Sequence, residues 1–267
     1  MVVGTVAVTG AAGRIGSAVR RALRSEADRL VLLDQVPLRP EADNEETLTV
    51  DLRDAEAVES ALTGVDRVLH LGGVPDEAPL PELLDANVLG THHVLEAARR
   101  QGISRVVLAS SNRLTGFHPA GQLTGPEAPP RPDGLYGVSK VAVEALGRLY
   151  ADKFGLSVIC LRIGSYEQAP QEPRHLATWL SPRDALGFFR AALSAPPTTP
   201  FTTVYAVSAN TRRFWTLPGA RELDYTPVDD AEAYAGQIPG AQDPTDPEAP
   251  QGGAFAAPEF TLRHLRP

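Results

Sequence analysis

Lysine is nearly missing from this chain. Of its 25 basic residues only Lys140 and Lys153 are lysines, and the remaining 23 are arginines. Cysteine is scarcer: Cys160 stands alone, which excludes an internal disulfide, and its place in the apolar run from Leu156 to Leu161 makes it a buried small hydrophobe. No apolar run approaches the roughly 20 residues of a membrane span. The opening Met-Val-Val-Gly also lacks the basic-then-apolar layout of a secretion signal, so a cytoplasmic protein with no membrane partner is expected. Positive charge is in deficit as well. A formal charge of −8 with dispersed basic residues argues against nucleic acid and requires any anionic ligand to be met locally. The six histidines have no accompanying cysteine pattern, and His92 and His93 are adjacent and so point apart on a helix; no metal site is expected.

What is present in quantity is alternation. A chain of 267 residues has room for one large α/β domain with ample core. Val2 to Thr9 is a short run rich in β-branched residues, followed at once by Gly10-Ala-Ala-Gly13-Arg14-Ile15-Gly16 and the helical pattern Ile15, Val19, Ala22, Leu23. Strand, glycine turn and helix in that order suit a dinucleotide, because glycines let the backbone approach a pyrophosphate that sits among unpaired helix-end amides. The spacing alone would also serve an ordinary tight turn. Leu30 to Leu33 predicts a second strand ending in Asp34, where an acid can bind both hydroxyls of an adenosine ribose and repel a 2′-phosphate. NAD is therefore expected over NADP, unless Arg39 turns back toward the site.

Leu48 to Val50 predicts a third strand, with Asp51 and Leu52 at its end assigned to the adenine by position only. Asp54 is placed to cap a helix through Leu62, and Val65 to Leu71 forms a fourth strand closing in Gly72-Gly73, where bare backbone can again pass a cofactor. His70 reads as a core histidine. Pro81 to Arg100 carries Leu83, Leu84, Val88, Leu95 and Ala98 at helical spacing, and Arg105 to Ala109 is a fifth strand ending in Ser110-Ser111-Asn112. Small polar side chains then stand at a strand's carboxyl end, where open α/β sheets bind ligands. After a Pro- and Gly-rich loop from Gly116 to Gly134 and one more helix, Ser157 to Arg162 makes a sixth strand ending at Ile163-Gly164-Ser165. Such alternation predicts a doubly wound parallel sheet of the Rossmann type.

The one conspicuous lysine lies on that last helix. Leu135 to Phe154 places Val138, Ala142, Ala145 and Leu149 on an apolar face and sets Tyr136 one turn before Lys140. An ammonium beside a phenol stabilises the phenolate, lowering a pKa of about 10 toward neutrality and making Tyr136 a usable general base. The bland alternative is a helix tyrosine packed at a surface. Beyond it, Arg183 to Leu193 is a helix with Ser181 before it, and Phe201 to Val207 alternates like a strand. Residues 237–258, rich in Pro, Gly, Asp and Ala, read as an extended tail packed on the domain or on a neighbouring subunit. The expected division is 1–165, the dinucleotide-binding core with its catalytic helix, and 166–267, a substrate-binding region integral to the same domain.

Taken in order, a glycine turn, an acid after the second strand, a hydroxyl after the fifth and Tyr-x-x-x-Lys resemble the extended short-chain dehydrogenases from Val2 through Ser165, as does Asn87-Val-Leu-Gly-Thr-His-His-Val-Leu-Glu-Ala-Ala98. A narrower resemblance, to the bacterial uronate dehydrogenase family, covers nearly the whole chain. It rests on Gly10-Ala-Ala-Gly13, His70-Leu-Gly-Gly73, Ala109-Ser-Ser-Asn112, Arg131-Pro-Asp-Gly-Leu-Tyr-Gly-Val-Ser-Lys140, Asp152-Lys-Phe-Gly155, Arg162-Ile-Gly-Ser165, Arg174, Thr178-Trp179 and Gln251-Gly-Gly253. This resemblance implies NAD-dependent oxidation of D-galacturonate or D-glucuronate at C1 to the aldarolactone, by a homo-oligomer. It implies Tyr136, Lys140 and Ser111 as catalytic residues, and Ser111, Asn112, Tyr136, Ser165 and Arg174 as substrate contacts. Gly10, Gly13, Arg14, Ile15, Gly16, Asp34, Asp51, Leu52, Leu71, Gly72, Gly73, Lys140 and Ser165 are the candidate cofactor contacts.

Two positions depart from the family. Pro75 stands where Ser is common, and Arg113 stands where His is usual; a loop arginine is ordinarily solvated, yet Arg113 could add a second cation for a carboxylate. Two rival readings are a nucleotide-sugar epimerase or dehydratase of the same superfamily and a catalytically inactive NAD(P) sensor. The first usually needs a larger substrate region than the 127 residues after Lys140, and the second characteristically loses the Tyr or the Lys.

Overall fold

The computed structural model describes residues 4–196, 198–218, 222–243 and 245–265; Val2 and Val3 of the expected first strand lie outside them. The chain runs β1 (Thr5–Thr9), α1 (Arg14–Leu23), β2 (Arg29–Asp34), β3 (Glu45–Thr49), α2 (Ala55–Ala61), β4 (Arg67–His70), α3 (Leu80–Leu83) and, after a π-helical stretch Leu84–Leu89, α4 (Gly90–Gln101). It continues through β5 (Arg105–Ser111), α5 (Leu135–Phe154), β6 (Ser157–Ile163), β7 (Ser165–Tyr166), α6 (His175–Thr178), β8 (Trp179–Leu180), α7 (Pro182–Ser194), β9 (Phe201–Ala206) and α8 (Pro258–Leu262). Seven strands form one sheet in the order β3-β2-β1-β4-β5-β6-β9, every neighbouring pair parallel. Chain order reverses between β1 and β4, which opens a crevice at their carboxyl ends.

The central strands read as near-continuous apolar runs because both sheet faces are covered. Val6, Val8, Leu30, Leu32 and Ile159 pack with Phe188 and Phe189 of α7 on one side. Ala7, Val31, Leu33, Val106 and Val158 pack with Val94 and Leu95 of α4 and Val143 of α5 on the other. β9 extends this same sheet, so residues after Ser165 contribute to it directly.

Several elements differ from expectation for identifiable reasons. β3 begins at Glu45 rather than Leu48, a polar start concealed in the sequence because Arg20 and Arg24 sequester the buried Glu45 carboxylate at 2.5 and 3.0 Å. The helix expected over 81–100 widens into a π turn, where Asn87 accepts from the Val74 amide at 2.7 Å and donates to Ser139 Oγ at 3.0 Å. Wide turns of this kind re-aim side chains at functional sites. On α5 the face turned to the core carries Val143, Gly147, Tyr150 and Ala151, whereas Val138 and Leu149 of the expected apolar face are 44% and 47% exposed. The tail packs on the domain as a strap, one of the two expected placements: its backbone meets the 116–121 loop through Gly252 N to Gly116 O (2.8 Å) and Gly121 N to Pro247 O (2.8 Å). Gln251, fully buried, donates to Pro119 O, Gln122 O and Thr124 Oγ1.

Candidate active site

One cleft of about 820 Å³ runs along the carboxyl ends of the strands from the glycine turn to Arg174 and Phe255. That volume suits a small-molecule site. At one end Gly10 adopts φ +68°, and a side chain at Gly16 would sit 2.2 Å from the Gly10 carbonyl oxygen, so the turn closes tightly only with glycine there. Gly13 caps α1 without any side-chain hydrogen bond, leaving the first helical amides for an anion. Asp34 lies beside this turn, its carboxylate accepting from Ala12 N (2.9 Å) and Val36 N (3.0 Å), with lone pairs left for a ribose. Arg39 does not line the cleft. Glycine turn, uncapped helix and adjacent acid fit a dinucleotide.

Farther along, Leu52, Leu71, Gly72 and Gly73 line the middle of the cleft, and Gly73 needs its φ of +139°. Asp51 pairs with Arg53 at 2.6 Å, and the hydrogen bonds from Arg53 hold its carboxyl at about 2. Arg14 reaches across from α1 to Glu167 at 2.6 Å and to the Tyr166 carbonyl at 3.0 Å, bridging the cleft mouth while its side chain stays two-thirds exposed. His70 is buried between Thr9 Oγ1 (2.7 Å) and Thr91 Oγ1 (3.0 Å), as a core histidine should be.

Tyr136 and Lys140 meet at the cleft's centre, each 8% exposed, with Lys140 Nζ 5.6 Å from the centre of the phenol ring and donating to Ala109 O at 2.9 Å. Burial lowers the Lys140 ammonium to about 8. Burial also pushes the Tyr136 phenol up to about 12, opposed by a hydrogen bond from Ser111 and the charge of Arg113. The expected lowering of the phenol is therefore not produced by the protein's own groups; desolvation outweighs them. Ser111 ends β5, two residues later than expected, and Asn112 and Ser165 line the same cleft, the latter bonded to Thr178 Oγ1 at 2.8 Å.

Arg174 heads α6 and lines the far wall. Its Nε donates to Gln251 O at 2.9 Å and its guanidinium lies 5.3 Å from the Phe255 ring; among the described residues no carboxylate forms an ion pair with it, although the charges of Asp133 and Glu172 reach it. Burial lowers it to about 10, so it keeps its charge at neutral pH and gains from an anion. Arg113 is not solvated. Its Nε pairs with Asp133 at 2.9 Å, Nη1 with Asp76 at 2.6 Å and Nη2 with Glu77 at 3.2 Å. Asp76, Glu77 and Phe255 sit in loops and the tail, where no periodicity marks them; Asp133 lies inside the Arg131–Lys140 segment that carries the resemblance, with no role of its own assigned there.

Residues 6–183 match the model of the NAD dependent epimerase/dehydratase family. The uronate dehydrogenase of Pseudomonas syringae is 39% identical over 254 residues, 94% of this chain and 92% of the relative. That of Agrobacterium fabrum is 41% identical over 252 residues, covering 93% and 95%. Among solved structures, a mutant of the Agrobacterium tumefaciens uronate dehydrogenase complexed with NAD superposes with a TM-score of 0.90 at 40% identity, covering 97% of this chain and 99% of that one. The chain belongs to the NAD dependent epimerase/dehydratase family and, within it, to the uronate dehydrogenases.

Proposed function

We propose that this protein is an NAD-dependent oxidoreductase that oxidises a hexuronate, D-galacturonate or D-glucuronate, at C1 to the aldarolactone. The observation that carries this reading is a Tyr-Lys-Ser centre and an arginine without a carboxylate partner in one cleft with a dinucleotide turn. Gly10, Gly13, Gly16 and Asp34 would hold the adenosine and pyrophosphate, with Arg14, Ile15, Asp51, Leu52, Leu71, Gly72, Gly73, Lys140 and Ser165 along its length. Bound NAD would supply a hydride acceptor and positive charge to the reaction. Tyr136 takes the proton of the C1 hydroxyl, and Ser111 hydrogen-bonds that oxygen as charge develops on it. Lys140 contributes positive charge next to the ring face. Asn112 and Ser165 orient the sugar and Arg174 pairs with its carboxylate through two parallel hydrogen bonds. Because the ring form is oxidised, the carbonyl product is a lactone and no second oxidation follows.

The division of labour follows the chain: 1–165 binds cofactor and carries the base, and 166–267 supplies Arg174 and the strap that walls the substrate end. The protein acts in the cytoplasm as a homo-oligomer, with the exposed apolar face of α5 against a second copy; no helix among the described residues is long and apolar enough to cross a membrane. A spectrophotometric panel tests the reading: NAD or NADP with galacturonate, glucuronate, their neutral hexoses and a nucleotide sugar. Reduction of NAD by the uronates is expected, and turnover confined to the nucleotide sugar would overturn it.

A further inference from the structure

The Arg113 side chain is 7% exposed, yet each of its three nitrogens faces a protein carboxylate, on Asp76, Glu77 and Asp133. Its flat faces are also covered. Phe255 lies 4.4 Å from the guanidinium carbon, Phe260 5.0 Å and Tyr136 5.3 Å. Glu77 extends the network in two directions. Its carboxylate accepts from the Leu135 and Tyr136 amides at 2.8 and 3.1 Å, capping a helix whose own N-cap, Gly134, offers no side chain. The same carboxylate accepts from Thr261 of α8 at 3.0 Å.

We infer that Arg113 is a positioning residue for Tyr136, the centre of an ionic hub that fastens the base and the C-terminal strap to one another, and not a ligand of the substrate carboxylate. The inference rests on Tyr136 being the base. A guanidinium offers five N–H donors in a fixed fork, and here Asp133, Asp76 and Glu77 already approach from its three nitrogens. A fourth carboxylate would have to displace the exposed Asp76 or one of the two buried partners and enter against the like charges that remain, which the low-dielectric interior makes costly. Arg174, with a single hydrogen bond to a carbonyl, has no paired carboxylate to displace, although the charges of Asp133 and Glu172 reach it. The hub instead fixes three things at once: the backbone of Tyr136 through Glu77, its ring face through Arg113, and the strap through Phe255, Phe260 and Thr261.

The network is electrically coupled to the base. Ser111 and Arg113 face Tyr136 from the end of β5, Asp76 and Glu77 from the segment after β4, Asp133 from the loop before α5, and Lys140 from α5 itself. Arg174, at the head of α6, acts on Asp133 and Arg113. Arg113 favours the phenolate, while Asp76 and Asp133 oppose it.

The test compares the pH profile of kcat, and KM for a uronate and its neutral hexose, in wild type, Arg113→Met and Asp76→Asn. Wild-type NAD reduction by galacturonate or glucuronate checks the functional reading separately, before any variant is scored. Arg113→Met should lower kcat about tenfold and move its basic-group limb up by about 1 pH unit, with the uronate-to-hexose preference held within about threefold. Asp76→Asn removes only the charge of a side chain that is 63% exposed, so the fold should persist, and the limb should move to lower pH. Loss of the uronate preference in Arg113→Met would make Arg113 a substrate ligand and overturn the inference. An unmoved limb in Asp76→Asn would leave the hub merely structural, and that single variant decides the matter if Arg113→Met does not fold.

Discussion

Tyr136 carries a burden that its surroundings only partly relieve. Its phenol stands at about 12 under burial, with Ser111 and Arg113 pulling the other way. In the proposed mechanism, turnover near neutral pH then depends on positive charge arriving next to the ring and on a short path for the proton, and both act on one oxygen atom. Tyr136→Phe removes that oxygen alone, so fold and cofactor binding should survive while turnover falls on the order of a hundredfold or more, the typical worth of a positioned acid-base group. Near-normal kcat in this variant would refute the mechanism. In the proposed mechanism, Arg174 is the matching residue at the substrate end. Truncating one partner of a desolvated charge pair costs roughly 2–5 kcal/mol, so Arg174→Ala should lose at least tenfold in kcat/KM on uronates and change little on the neutral hexose. A preference that survives intact would place the carboxylate clamp elsewhere.

At the scale of elements, α5 serves two surfaces. Its inner face packs Val143, Gly147 and Tyr150 on the sheet, and its first turn carries Tyr136, the proposed base. The outer face leaves Val138 and Leu149 exposed, with Leu84 and Leu89 of the neighbouring π stretch each 43% exposed. Such apolar neighbours on adjoining helices suit a second copy of the chain. Leu149→Glu should therefore shift the assembly toward monomers in size-exclusion chromatography with light scattering, with α/β secondary structure unchanged by circular dichroism. An identical mass for variant and wild type would remove α5 from the interface.

For the whole molecule, buried titratable groups set the acid limit. Burial, helped by the charge of Lys140, lowers His70 to about 3, and burial also lowers His175. An unfolded histidine titrates near 6.5, so below that pH the unfolded chain holds more protons and stability falls as pH drops. Carboxylates act next. Burial alone would raise Glu45, but hydrogen bonds from Arg20, the Glu41 amide and Arg24 outweigh it and hold the carboxyl at about 2. Hydrogen bonds from Arg99 and Arg100 do the same for Glu96. Their contribution is complete above the unfolded value near 4.5 and is lost as pH falls toward 2. Thermal midpoints should thus decline first between pH 7 and 5 and again below 4.5; a flat profile from 7 to 5 would contradict the burial of a neutral His70.

Sequence alone determined the order of the sheet's strands and of the longer helices between them, because covered parallel strands read as apolar runs and long helices repeat near 3.6 residues, whereas the short α6 and α8 and the β7–β8 pair carry no such signal. It also determined the dinucleotide turn, the acid after β2 and the Tyr-x-x-x-Lys pair, since each depends on spacing within one segment. Only the tertiary structure decided what those groups experience. The rise of the Tyr136 phenol comes from desolvation by distant segments, which no local pattern encodes. Polar Glu45 became strand, and Arg113 became buried, through partners 25 and 20 or more residues away in the chain. Phe255 lay in a stretch with no periodicity and reached the cleft because Gln251 and Gly252 pin the strap to the 116–124 loop. Spacing along the chain fixes chemistry that one element can hold, whereas burial and long-range ion pairing exist only after the elements have packed.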